Sequence, residues 1–172
     1  MIFTKATEEQ TEQIVRFYLD IVSHLKATVN YPKWHDGHPC AADVENAVKS
    51  GTQYICTDDG ALIGAVILSE DPEGYYEAGN WTLELSRGEY LIIHALAVHS
   101  EKARKGIGSF LVKECIRTAR NGGYRSIRLD TVPDNHPANR LYMQNGFTYA
   151  GTKDIERGIP EIPVFNLYEL NL

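Results

Sequence analysis

The chain has 172 residues, 43% of them hydrophobic and 23% charged, which suits one soluble domain with a real core and excludes a low-complexity or disordered chain. A net charge of −6 argues against a nucleic-acid partner, since neutralising phosphates needs a clustered basic face. Cys40, Cys56 and Cys115 are odd in number and widely spaced, which excludes a disulfide framework and a zinc knuckle and leaves small buried side chains.

The N-terminus, MIFTKATEEQTEQ, lacks the basic-then-apolar order of a secretory signal, so the expectation is a cytoplasmic protein. Ile2 to Lys5 reads as a short strand. Thr7 and Gln10 have capping-box spacing ahead of a helix whose apolar face is Ile14, Val15, Tyr18, Ile21, Val22 and Leu25. Tyr31 to Pro39 breaks all periodicity and reads as a loop, and a short helix from about Ala41 to Lys49 ends at Gly51. Tyr54 to Thr57 and Ala61 to Leu68 flank Asp58-Asp59-Gly60, a strong hairpin signal. Glu70 to Glu89 is long for a hairpin connection and carries Tyr75, Tyr76 and Trp81, as a functional loop or partly ordered flap would.

Tyr90 to Val98 is an apolar strand, too short to cross a membrane, and no membrane partner is expected. A charged turn leads to Lys105-Gly106-Ile107-Gly108-Ser109 and a helix to about Arg120, stopped by Asn121-Gly122-Gly123. Ser126 to Val132 is a further strand, Pro137 opens a helix that Asn145-Gly146 ends, and Phe147 to Gly151 and Val164 to Leu170 close the sheet. The order β-α-α-β-β-β-α-β-α-β-β predicts a single α/β domain over residues 1–172, with a mixed central sheet of about six to seven strands flanked by helices.

Strand, glycine turn, helix is an anion cradle: the glycines let consecutive amides at a helix start point at one anion, and a phosphate-bearing cofactor is the obvious occupant. The pair fits neither common nucleotide motif. No Gly-Lys-Ser/Thr occurs in the chain, and Leu111 stands where a dinucleotide fingerprint needs its third glycine. Charge is distributed accordingly: residues 1–89 hold 6 Lys/Arg against 15 Asp/Glu, whereas Lys102, Arg104, Lys105, Lys113, Arg117, Arg120, Arg125 and Arg128 gather around the cradle against Glu114 alone. A polyanion would be drawn to that side and a cationic acceptor to the acidic half, although solvated surface explains both equally.

The spacing of Ala97-Val98, Gly106-Ile107-Gly108-Ser109, Asn135, Ala138, Leu141-Tyr142 and Asn145-Gly146-Phe147 resembles the GNAT superfamily of N-acetyltransferases, strongly over about a third of the chain. The family usually has Gln or Arg three residues before the first glycine; Ala103 stands here, with Arg104 beside it to supply the charge from a shifted position. The resemblance implies acetyl-CoA as co-substrate, held by Leu96, Ala97, Val98, Arg104, Lys105, Gly106, Ile107, Gly108, Ser109, Asn135 and Tyr142, and a pantetheine arm entering where the fourth and fifth strands splay apart. Asn135 fits an Asx-turn after Pro133 as well as a cofactor contact.

Acetyl transfer to an amine needs a base, because a lysine-like ammonium of pKa ~10.4 is only about 0.04% neutral at pH 7, and it needs a proton for the departing thiolate. The resemblance implies Tyr142 as that acid; the bland alternative is a ring that packs on the cofactor. Strict strand alternation sets Ile92, His94, Leu96 and Val98 on one face, and His94 is the one titratable side chain among them, suited to act as base or relay. It resembles family members in which histidines form a proton path, although Ile92 replaces the second histidine and many members use glutamate. A hydrogen-bonded core histidine is the competing reading, and His99, past the strand end, reads as surface. A backbone N–H near Val98 is the expected donor to the thioester carbonyl.

For the acceptor, the aromatics Tyr31, Trp34, Tyr75, Tyr76 and Trp81 lie in the two irregular segments, where they either hold a cation over their faces or seal the core; Tyr31, Trp34, Tyr75 and Trp81 are the substrate-binding candidates. The expected activity is acetyl transfer from acetyl-CoA to a primary amine of a small molecule or peptide. A non-catalytic acetyl-CoA-binding sensor is the alternative, and it would need neither Tyr142 nor a base. His35 and His38 offer no third ligand for a metal, so none is expected. Oligomeric state, a homodimer included, is left open by the sequence.

Overall fold

The computed structural model describes residues 1–102 and 106–172. Seven strands form one sheet: β1 (Ile2–Lys5), β2 (Gln53–Asp58), β3 (Ala61–Ser69), β4 (Tyr90–Val98), β5 (Ser126–Thr131), β6 (Thr148–Lys153) and β7 (Phe165–Asn171), in the spatial order β1-β2-β3-β4-β5-β7-β6. All neighbours are antiparallel except β4 and β5. The helices are α1 (Thr11–Ala27), α2 (Ala41–Lys49), α3 (Ile107–Asn121) and α4 (His136–Gln144). This is the single α/β domain with a mixed sheet that the element order predicts.

Local chemistry explains most of the boundaries. The Gln10 side-chain oxygen accepts from the Thr7 N–H at 3.0 Å, as the capping spacing requires, although the first turn it starts is a 3-10 turn and α1 proper begins at Thr11. Between β2 and β3 both Asp59 (φ 49°) and Gly60 (φ 79°) are left-handed, the conformation a two-residue hairpin demands. Pro137 sits in the first turn of α4, where its missing N–H costs nothing.

Helices α3 and α4 cover one face of the sheet. Val112, Cys115 and Ala119 of α3 and Tyr142 of α4 are buried against Val66, Leu91, Ile93, Ile127 and Leu129. On the other face, α1 and α2 bury Ile14, Tyr18, Val44 and Val48 against Ile55, Ala65 and Ala97. Among the described residues the second half of that face has no α-helix. The segment 70–89 takes the place of one, burying Tyr76 and packing Trp81 and Leu85 against Tyr90, Ile92, Phe165 and Leu167. The long connection is therefore a packed layer rather than a flap.

Arg128 is the largest departure from the expected surface. It is 2% exposed, with its guanidinium 4.3 Å from the ring centres of both Trp81 and Tyr90 and Nη2 donating to the Leu83 carbonyl at 2.8 Å. Arg125 pairs with Glu89 at 2.9 Å, and Arg117 with Glu114. The gathering of basic charge read from the sequence thus loses Arg128 to the core and Arg125 to a surface pair. Parity explains the miss: Arg128 faces the aromatic layer while Ile127 and Leu129 face α3 and α4.

Candidate active site

The site exists because β4 and β5 part. Their parallel pairing runs from Tyr90–Ser126 to Ile93–Leu129 and then stops, so His94 to Val98 on one strand and Asp130 and Thr131 on the other face a gap. A cleft of about 2000 Å³ opens there, lined among others by His94, Ala95, Leu96, Ala97, Val98, Asp130, Asn135 and Tyr142. The splay that the family resemblance implied is present.

One residue of β4 breaks its alternation. Ala65 pairs with Ala97 and Ile67 with His94, so Ala95 and Leu96 together oppose Val66: a β-bulge, with Ala95 at φ 48° and its carbonyl accepting from the Tyr18 hydroxyl at 2.8 Å. Past the bulge the faces exchange. Ile92 packs among the aromatics of the 70–89 layer and Ala97 against α1, whereas Leu96 and Val98 pack on the α3 side beside Ile107 and Leu111. The expected row of Ile92, His94, Leu96 and Val98 on one face is corrected accordingly.

His94 is 8% exposed, and its Nε2 lies 2.8 Å from the Asp71 carbonyl oxygen. A carbonyl can only accept, so Nε2 carries the proton and the neutral ring keeps its lone pair on Nδ1. Glu73 Oε2 lies 3.9 Å from Nδ1, too far for a hydrogen bond. Among the described residues no donor bonds Nδ1, so the ring can accept a proton there. His99 is partly buried rather than a surface residue, with its ring centre 6.5 Å from that of Phe17.

Tyr142 comes from α4, where it is buried with its ring edge-on to Phe147, centroids 5.6 Å apart. Burial drives its phenol pKa upward, with Cys115 and Asp130 adding to the rise, so the hydroxyl stays protonated through the neutral range. Asn139, one turn earlier on α4, anchors the helix. Its Oδ1 accepts from Thr131 Oγ1 and from the Tyr168 hydroxyl at 3.0 Å, and its Nδ2 donates to the Pro133 carbonyl at 2.8 Å. Asn135 caps the same helix, accepting from the Ala138 N–H at 3.3 Å, while also lining the cleft.

The glycine turn divides its labour. Gly106 caps α3 at φ 78° with nothing within 4 Å of a Cβ placed there. The first helical bond is Phe110 N–H to Gly106 carbonyl at 3.0 Å, so the amides of Ile107, Gly108 and Ser109 precede it, as an anion cradle requires. Gly108 serves a different end: a Cβ there would come within 3.3 Å of Leu141, so its smallness lets α3 approach α4. Asn145 ties the two helices further by donating to Ser109 Oγ at 3.1 Å. Arg104 and Lys105, expected at the pyrophosphate, lie outside the described residues.

Of the acceptor candidates, Tyr31 and Trp34 line the cleft; Tyr75 and Trp81 do not. Tyr75 is exposed, and Trp81 donates from Nε1 to the Tyr76 carbonyl and stacks on Arg128. What the sequence did not reveal is the other wall. Arg157 grips Asp130 with two bonds of 2.8 Å, Tyr76 donates to the same carboxylate at 2.6 Å, and Arg157 Nε donates to the Glu73 carbonyl at 2.9 Å. Burial, and then the Asp130 charge, push the Tyr76 pKa well up. Arg157 carried no local motif, because it meets Asp130 across 27 residues and Glu73 across 84.

Comparison with known proteins agrees with this architecture. The acetyltransferase (GNAT) family model matches residues 13–147. A Bacillus subtilis protein named "Putative phosphinothricin acetyltransferase YwnH" is 24% identical over 159 residues, covering 88% of this chain and 86% of that protein. Another from the same organism, the UPF0157 protein YqkA, is 39% identical over 79 residues, which is 46% of this chain but only 22% of that longer protein. Among solved structures, a GNAT-family acetyltransferase from Listeria monocytogenes superposes with a TM-score of 0.78 at 21% identity, over 99% of this chain and 94% of that one. YncA from Salmonella typhimurium, solved with acetyl-CoA as its cofactor, gives 0.73 at 17% identity, over 100% and 94%. The match over most of its length, on a sheet split at β4 and β5, makes this chain a member of the GNAT family of acetyltransferases.

Proposed function

We propose that the protein is an N-acetyltransferase in which a primary amine attacks acetyl-CoA directly, with His94 as base and Tyr142 as acid. The observation that carries this reading is that the gap between β4 and β5 joins the two faces of the sheet, with Tyr142 approaching from the α4 side and His94 from the other. The amides of Ile107, Gly108 and Ser109 supply the pyrophosphate cradle. His99 N–H bonds the Ile63 carbonyl across β3 at 3.0 Å, so alternation turns the Val98 N–H the other way, toward the gap, where it can hold the thioester oxygen as charge develops.

His94 Nδ1 takes one proton from the ammonium, and the freed amine adds to the carbonyl carbon. The tetrahedral intermediate collapses with cleavage of the C–S bond, and the thiolate takes the proton of Tyr142. The nitrogen's remaining surplus proton restores the phenol through solvent, leaving one proton released per turnover. Burial keeps the phenol neutral, so its proton is still in place when the thiolate departs.

Thiol release from acetyl-CoA, measured across a panel of small amines and peptides, tests this directly. Amine-dependent release with a matching acetylated product is the expected result. Tight acetyl-CoA binding with no amine-dependent release would replace the enzyme with a sensor.

A further inference from the structure

We propose that Glu73 is the residue that selects the acceptor: its carboxylate receives the substrate's ammonium beside His94 Nδ1, so the enzyme takes amines that arrive as cations. The inference rests on the cleft being the acetyl-transfer site. His94 is more than nine-tenths buried, its Nε2 is committed to Asp71, and its Nδ1 looks into the cleft without a hydrogen-bond partner among the described residues. The space between Nδ1 and Glu73 Oε2, 3.9 Å across, is bounded by a lone pair and a carboxylate. An ammonium group satisfies both at once, donating one hydrogen to the imidazole and another to the carboxylate.

The backbone around Glu73 is fixed for this purpose. Its φ is 50°, a conformation that a glutamate adopts only against local preference. It is kept there by its own N–H, which donates to Asp71 Oδ1 at 3.1 Å, and by its carbonyl, which accepts from Arg157 Nε at 2.9 Å. The side chain itself is 53% exposed and makes no ion pair with a lysine or arginine among the described residues, so its charge is available to a ligand. Arg157, whose Nε bonds the Glu73 carbonyl, is paired with Asp130. Glu73 only holds the cation: the N–H bond that breaks is the one donated to His94 Nδ1.

The test compares wild type with Glu73→Gln, Glu73→Asn and Glu73→Asp on the best cationic amine from the panel and on an alkoxyamine, which is neutral at pH 7. Loss of the charge raises KM for the cationic amine by about 10-fold or more, while KM for acetyl-CoA and turnover of the alkoxyamine change little and Glu73→Asp restores part of the loss. Asn accepts the left-handed conformation better than Glu, so Glu73→Asn also raises Tm as it weakens the amine. Unchanged KM for the cationic amine in Glu73→Gln, or equal losses on both acceptors, overturns the assignment of Glu73 alone. Failure of the wild type to acetylate any amine overturns the reading of the site on which it rests.

Discussion

The two sides of the cleft are built on different principles. The cofactor side is made of regular elements, the end of β4 and helices α3 and α4, packed through Leu111, Val112, Cys115 and Tyr142 with a small residue, Gly108, where the helices meet. The acceptor side is made of irregular chain: the loop bearing Tyr31 and Trp34, the segment bearing Asp71 to Tyr76, and the turn after β6 bearing Arg157, cross-linked by polar bonds to Asp130. Apolar periodicity holds the first side, and long-range ion pairing holds the second. In the function proposed, the first side receives acetyl-CoA and the second the acceptor, and a change of acceptor falls on loops, which vary more freely than helices.

The sharpest break between the two sides is Tyr142→Phe, which removes a proton donor and leaves the packing intact. Turnover is expected to fall by ~10² to 10⁴ while acetyl-CoA affinity stays within a few-fold, because only the transition state loses the interaction. Steady-state kinetics beside a calorimetric titration measures both. On the acceptor side, Arg157→Met leaves Asp130 buried without its partner. The expected loss is about 3 to 5 kcal/mol in a denaturant melt, since one half of a buried pair is worse than none. Hydrogen exchange would show whether residues 71–76 open first or the whole domain unfolds at once, and so whether the two sides share one cooperative unit.

His94→Ala should remove the acid limb that a protonated imidazole imposes on the pH–rate profile, with acetyl-CoA binding unchanged. A limb that persists assigns proton removal to another group or to solvent. The smallest effect is expected at the cradle. Gly106→Ala forces a side chain into φ 78°, costing about 1 kcal/mol of stability and weakening acetyl-CoA, whereas Gly108→Ala only presses on Leu141 and should change stability more than affinity. Reversal of that order would mean that Gly108, not Gly106, is the residue that admits the phosphate.

This division also explains what could be read from the chain. Local signals were enough for β1, α2 and β4, whose bounds match the pattern of apolar residues and caps, and for the order of all eleven strands and helices. Tyr142 and the glycine turn stood out because residues close in sequence are also close in space. Arg128 looked like surface because its aromatic sandwich joins the 70–89 layer to two different strands, and nothing near it in the sequence announces those rings. Glu73 and Arg157 were passed over for the same reason: they meet across 84 residues. The bulge was hidden for a different one, since Ala95 takes a left-handed conformation without the glycine that usually marks it.

That bulge makes β4 unusually sensitive to length. An alanine, leucine or valine exchanged within Ala95 to Val98 alters volume and little else, but deleting Ala95 would restore an unbroken two-residue rhythm. Leu96, Ala97 and Val98 would keep their present faces, although the carbonyl that accepts from the Tyr18 hydroxyl would go, whereas a residue gained or lost between the bulge and Val98 would turn Val98 away from Ile107 and Leu111. Chains descended from a common ancestor of this protein should therefore tolerate many substitutions along this strand and few single-residue insertions or deletions past the bulge, because each would exchange the residues that face the two helical layers.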